Sequence, residues 1–188
     1  MKRRRLMLSL ATLLALPFAA LTAMAAMVTY MGLGDLAGNA DKIFRGTVLS
    51  KEPGTVSAGG SEFSTVVYTL RVDQALKGDF GTEKDAAVFT VTMLGNLKAD
   101  VSSGNVKPMF TVDVNPDMQV GNDYVLFTTA PSAAGLSTTV GLDQGLFRIF
   151  VDATGREMTV NGLNNYGIFD GPVKYDELIA AINALVNQ

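Results

Sequence analysis

The chain has 188 residues, the length of one ordinary domain, with 48% hydrophobic side chains and a formal net charge of −3. It contains no Cys, no His and no Trp. Disulfides, thiolate chemistry, imidazole-based catalytic triads and zinc sites built on nitrogen and sulfur are therefore excluded.

Residues 1–25 read as a secretory signal peptide. Lys2-Arg3-Arg4-Arg5 form the basic n-region. The apolar h-region starts at Leu6 and runs through Leu8, Leu10, Leu13, Leu14 and Leu16 to Ala20. Ala23-Met24-Ala25 sets small residues at the spacing a signal peptidase needs, so cleavage is expected after Ala25. The alternative is an uncleaved anchor, because residues 6–28 carry no charge and are long enough to span a bilayer. Pro17 interrupts that helix and favours cleavage. Removing residues 1–25 takes away four of the fifteen basic residues and no acid, leaving 163 residues with eleven basic and eighteen acidic side chains, a net charge of −7. Such a domain, periplasmic or secreted, repels phosphate backbones and anionic lipid headgroups. Nucleic acid is not expected as a partner, nor the membrane once the signal is cleaved.

Residues 26–40 are mostly small and apolar. Met31, Leu36 and Ala40 suit one or two helical turns, which Gly32, Gly34 and Gly38 weaken. Residues 43–49 form the first predicted strand. Residues 52–62, with Pro53, Gly54, Gly59 and Gly60, read as an exposed loop. Residues 63–73 alternate cleanly: Val66, Tyr68, Leu70 and Val72 fall on one face, Thr65, Val67, Thr69 and Arg71 on the other. Residues 86–94 make a third strand, 95–105 a loop, and 106–114 a short edge strand limited by Pro108. A turn at 120–123 leads into a strand at 124–128. Strands follow at 137–142 and 146–151. Asp152-Ala153-Thr154-Gly155 signals a tight hairpin returning through 157–160. Residues 161–171 read as loop. The C-terminal helix, 174–187, carries the stripe Leu178, Ile179, Ile182, Leu185 and Val186, with Asp176 and Glu177 in its first turn. One mainly β, antiparallel domain over 26–188 results, as a small barrel or a β-sandwich, with the amphipathic helix packed on it.

The acids are scattered. Glu157 and Asp170 are the least arbitrary pair for a carboxylate-based hydrolase, although neither stands in an apolar setting that would raise its pKa. Asp113-Val114-Asn115-Pro116-Asp117 places oxygen ligands at alternate positions, like the first half of a calcium loop. Met118 then stands where that loop wants Gly, and Tyr124 where it wants a bidentate Glu. Pro116 fits an ordinary turn instead. Asp113, Asn115 and Asp117 are the weak calcium candidates; no catalytic residue and no other cofactor is assigned.

Four segments carry a resemblance. They are Ala40-Asp41-Lys42-Ile43-Phe44-Arg45-Gly46-Thr47-Val48, Leu76-Lys77-Gly78, Val120-Gly121-Asn122-Asp123-Tyr124-Val125-Leu126-Phe127 and Gly141-Leu142-Asp143-Gln144-Gly145-Leu146-Phe147-Arg148, with Tyr175-Asp176-Glu177-Leu178 opening the helix. Their order resembles a group of uncharacterised exported bacterial proteins. More remotely, the first three look like netrin-like domains and tissue inhibitors of metalloproteinases, which are OB-type five-stranded barrels. The resemblance implies an OB-like barrel here. It does not carry over the inhibitor function, which depends on a cysteine-bearing mature N-terminus; here that start reads Ala26-Met27-Val28. Within these segments Gly46 is expected to allow a bend or close packing, Arg45 to pair with Asp41, and Gly78 and Gly121 to serve turns with positive φ. In OB-type barrels the loop between strands 1 and 2 often binds ligands; here residues 52–62 offer no aromatic except Phe63 at the edge. The expected function is a non-enzymatic binding domain of the periplasm or cell envelope, contacting a protein or envelope component. The alternatives are the carboxylate-based hydrolase and a signal-anchored envelope component.

Overall fold

The structure, a computed structural model, describes residues 29–81, 87–97 and 115–187. The expected signal peptide, the edge strand at 106–114 and Asp113 lie outside the described residues. The elements are α1 (Leu33–Asn39), β1 (Lys42–Ala58), β2 (Ser61–Lys77), β3 (Val88–Leu94), β4 (Asp123–Thr128), β5 (Leu146–Val151), β6 (Glu157–Asn161), β7 (Val173–Lys174) and α2 (Tyr175–Val186).

The strands form one antiparallel sheet in the order β3-β2-β1-β4-β5-β6-β7. It is not closed into a barrel, and the strands make a single sheet where a sandwich needs two. β7 is only two residues long because the chain turns directly into α2, which covers the sheet and does not extend it.

Each face of the sheet carries an apolar core over part of its area, so the fold has two. On one face α1 and α2 pack Leu36, Leu178 and Ile182 against Ile43, Val125, Phe127 and Phe147. On the other, Phe44, Val48, Val66, Tyr68, Leu70, Val91, Met93, Met118 and Leu126 come together. β4 lies between these cores. That is why Tyr124-Val125-Leu126-Phe127 is continuously apolar, while β2, wetter on one side, alternates. The stripe predicted for the C-terminal helix is buried at Leu178, Ile179 and Ile182.

Three local expectations are corrected. Residues 52–62 are not a loop: β1 continues to Ala58 and pairs with β2 around a Gly59-Gly60 turn, in register from Glu52↔Val67 to Ala58↔Ser61. Both turn glycines have positive φ, the geometry of a two-residue hairpin turn. Pro53 is tolerated because β1 has already lost β4 as a neighbour; that pairing ends at Thr47. Residues 137–142 make only a single bridge, Thr139 to Thr128, and then turn into a short 3-10 helix at Leu142–Gly145. Gly141 and Leu142, both left-handed, end the extended conformation there. Arg45 does not pair with Asp41. Residues four apart in a strand are separated by about 13 Å, whereas cross-strand neighbours lie within reach.

The glycine expectations hold. Gly78 and Gly121 have positive φ. A Cβ on Gly46 would lie 2.9 Å from both the Arg71 carbonyl oxygen and the Phe44 ring, so β1 and β2 approach each other there as no other residue allows.

Candidate functional site

Arg45 is the centre of the most extensive charged network among the described residues. It projects from β1 on the helix-bearing face, where β4, β6 and the start of α2 converge. Its Nη1 donates to Glu157 Oε2 at 3.0 Å, and its Nη2 to Glu157 Oε1 at 2.9 Å and to Asp123 Oδ2 at 2.8 Å. Its Cζ lies 4.8 Å over the Tyr175 ring. The Tyr175 hydroxyl in turn donates to Gln74 Oε1 at 2.6 Å. The Glu157 hydrogen bonds push the Arg45 pKa well above its ordinary value; partial burial opposes them and Asp123 adds to them. The network continues through Thr47, whose hydroxyl contacts Asp123 Oδ1 and Asp73 Oδ2, to Arg71.

Beside this network lies an open depression of about 410 Å³, lined by Arg156, Glu157, Lys174, Tyr175 and Asp176. Its charges are largely matched within the protein. Arg156 pairs with Asp152 at 2.9 Å, Lys174 with Glu177 at 3.2 Å, and Glu157 with Arg45. The arrangement ties α2 to the sheet.

Glu157 and Asp170 are not brought together. Glu157 is engaged by the Arg45 guanidinium on β6, while Asp170 is exposed in the turns before β7. The calcium candidates stand as follows. Asn115 accepts from the Thr138 hydroxyl at 2.6 Å and donates to the Leu94 carbonyl at 2.7 Å. Asp117 takes Lys51, the Tyr68 hydroxyl at 2.9 Å and the Gln119 amide at 2.7 Å. The oxygens offered to a cation are thus already accepting hydrogen bonds, one from an ammonium. Among the described residues no group of three or more Asp or Glu is arranged to hold a metal ion.

The sequence reading missed the arm. β2 pairs with β3 only over Thr65–Arg71, and β1 with β4 only over Lys42–Thr47. Residues 54–64 therefore extend as a two-stranded arm. Val56 and Phe63 face each other across it, and Phe63 is 46% exposed. Lys51, Tyr68 and Asp117 buttress the arm at its root, with the Lys51 Nζ also 6.0 Å from the Tyr68 ring centroid. Burial, reinforced by the Asp117 charge, raises the pKa of the Tyr68 phenol and keeps it protonated. The signal that marks the arm is Gly59-Gly60 between Thr55-Val56-Ser57 and Glu62-Phe63-Ser64, two alternating runs around a two-residue turn.

A comparison with protein-family models returned no match, and neither did one with curated proteins.

Proposed function

We propose that this chain is an exported, non-enzymatic interaction domain of the periplasm or cell envelope, and that the β1–β2 arm makes the contact with a protein partner. One observation carries the reading: the arm projects beyond its neighbouring strands and displays Phe63 to solvent on a buttressed root. A strand edge that no described strand pairs, carrying an apolar side chain, is a template for a partner strand. The engagement of Glu157 by Arg45, and the paired charges around the depression, favour contact over catalysis.

The OB-like reading belongs to the half of the sheet formed by β1–β4. Its support is that these strands surround one core, and that residues 137–139 reach across its open side. Ser137 N–H donates to the Thr92 carbonyl on β3 at 2.9 Å, and Thr139 bridges Thr128 on β4.

Two experiments test the proposal. Mass spectrometry of the N-terminus is expected to find Ala26 first; Met1 retained in the membrane fraction would replace cleavage with anchoring. A photo-crosslinking residue at position 63, in cells, is expected to trap an envelope protein that a probe at exposed Val151 does not. An exported, folded protein that crosslinks to nothing at position 63 removes the arm from the proposal.

A further inference from the structure

Of the five tyrosines, Tyr68, Tyr124 and Tyr175 are buried, whereas Tyr30 and Tyr166 are 62% and 64% exposed. These two stack on each other, with ring centroids 4.9 Å apart and planes tilted by 56°. Neither hydroxyl has a hydrogen-bond partner among the described residues.

Buried amides fix the backbone under both rings. Gln144, fully enclosed, accepts from Met31 N–H at 2.8 Å and donates to the Thr29 carbonyl at 3.0 Å, holding the peptide groups on either side of Tyr30. Asn165, also enclosed, donates to the Thr159 and Gly171 carbonyls and exchanges bonds with Asn161, and both Asn164 and Asn165 are left-handed. A conformation that L-residues rarely adopt is thus held immediately before Tyr166. The rings are exposed but their supports are rigid, so little conformational freedom is lost when a ligand settles on them.

We propose that Tyr30 and Tyr166 form a stacking platform for a neutral glycan, independent of the arm. The chemistry favours a sugar over a peptide strand. The N–H groups of Leu163, Asn164, Asn165, Tyr166, Ile168, Phe169 and Met31 are all bonded internally, so an added peptide strand finds few donors along this stretch. What is exposed is two aromatic rings, and two hydroxyls that no described residue bonds, the combination that accepts the C–H face and the hydroxyl rim of a pyranose. The chain's acidic balance disfavours anionic polymers.

The test is titration of the purified protein with chitohexaose and with cellohexaose, followed by calorimetry and by tyrosine emission, which no Trp obscures. Saturable binding to at least one is expected. Tyr30→Ala and Tyr166→Ala should each weaken it about tenfold, the scale of one aromatic contact. Tyr166→Phe should retain most of the affinity, and Phe63→Ser all of it, which separates the platform from the arm. Circular dichroism checks each variant; if Tyr166→Ala unfolds, Tyr30→Ala and Tyr166→Phe decide. The proposal is overturned if neither sugar binds saturably at millimolar concentration, if binding survives both alanine substitutions, or if a proline-rich peptide binds the platform and the sugars do not.

Discussion

Arg45 and Glu157, on strands that are not neighbours, meet in a two-pronged ion pair, with bonds of 3.0 and 2.9 Å. Asp123 completes the set from β4, one of the two strands between them. The Arg45 side chain is only 20% exposed, so the pair is better shielded than a surface bridge. Removing the guanidinium leaves two carboxylates facing each other and uncovers the Tyr175 ring. Arg45→Met is therefore expected to destabilise the fold by roughly 1–3 kcal/mol, between the surface and buried limits. Glu157→Gln, with Asp123 still in place, should cost about 1 kcal/mol or less. Urea denaturation of both single variants and the double variant measures their coupling. Additive losses would show that the pair is not a unit.

The acidic and alkaline limbs of stability should trace to different residues. Burial works to raise the Asp73 pKa, but the Thr47 hydroxyl and the Arg71 guanidinium outweigh it, and the net value is lowered. A depressed carboxylate stabilises the fold fully above its unfolded value of about 3.9 and loses that contribution as the pH falls through its folded value. Asp73→Asn should flatten the decline in melting temperature below about pH 4. Tyr68 has the opposite sign. Its pKa is raised, first by burial and then by the Asp117 charge. Its contribution is complete below about pH 10 and is lost as the pH rises through the folded value. Tyr68→Phe should flatten that alkaline limb. A limb left unchanged by its variant would assign the titration elsewhere.

The elements legible in the sequence were those whose signal is local. The alternation of Val66, Tyr68 and Leu70, the apolar run at Tyr124–Phe127 and the stripe of Leu178, Ile179 and Ile182 each report burial directly. The arm was obscured because Pro53, Gly54, Gly59 and Gly60 usually mark loops; here two of those glycines make the turn and Pro53 sits at an edge. Closure into a barrel was not legible, since it depends on whether β3 and β7 meet, and neither carries a residue pattern that says so. The partners of Arg45 were also hidden. Asp123 and Glu157 are 78 and 112 residues away, and only the strand order brings them together.

Gly46 is held to glycine by proximity. The position is extended, so a side chain is excluded by space alone, with the Arg71 carbonyl and the Phe44 ring each 2.9 Å from where a Cβ would stand. The carbonyl belongs to the paired strand, and Phe44 is fully buried, so neither yields easily. Gly46→Ala should destabilise by roughly 1–3 kcal/mol, the usual range for overpacking. Gly34→Ala, in α1 with nothing within 4 Å, should be neutral or stabilising by up to about 1 kcal/mol. Thermal melts of the two variants give opposite signs on this account; equal effects would argue against a steric origin at Gly46.

Gln144 links the segment before α1 to the 3-10 helix that leads into β5, and its removal should be felt at both ends of that link. Its amide bonds the peptide groups at Thr29 and Met31, and its own main-chain carbonyl accepts from Asn161 Nδ2 at 3.1 Å. Gln144→Leu retains the volume but leaves the Met31 N–H and the Thr29 carbonyl without their partner. Buried groups left unpaired cost about 1–3 kcal/mol, less where water reaches them. Thr29 is exposed and can recover a water; Met31 is half-buried and recovers less. The main-chain bond from Asn161 does not depend on the side chain and should persist. Hydrogen exchange is therefore expected to quicken sharply at Met31 and little at Asn161 and Asn165. The second effect is on Tyr30, whose ring loses its fixed backbone. Its contact with Tyr166 should loosen while α1, anchored by Leu36 and by Lys77 at the Ala37 and Ala40 carbonyls, stays docked. Uniformly faster exchange across α1 would instead show that the whole segment is held by this one amide.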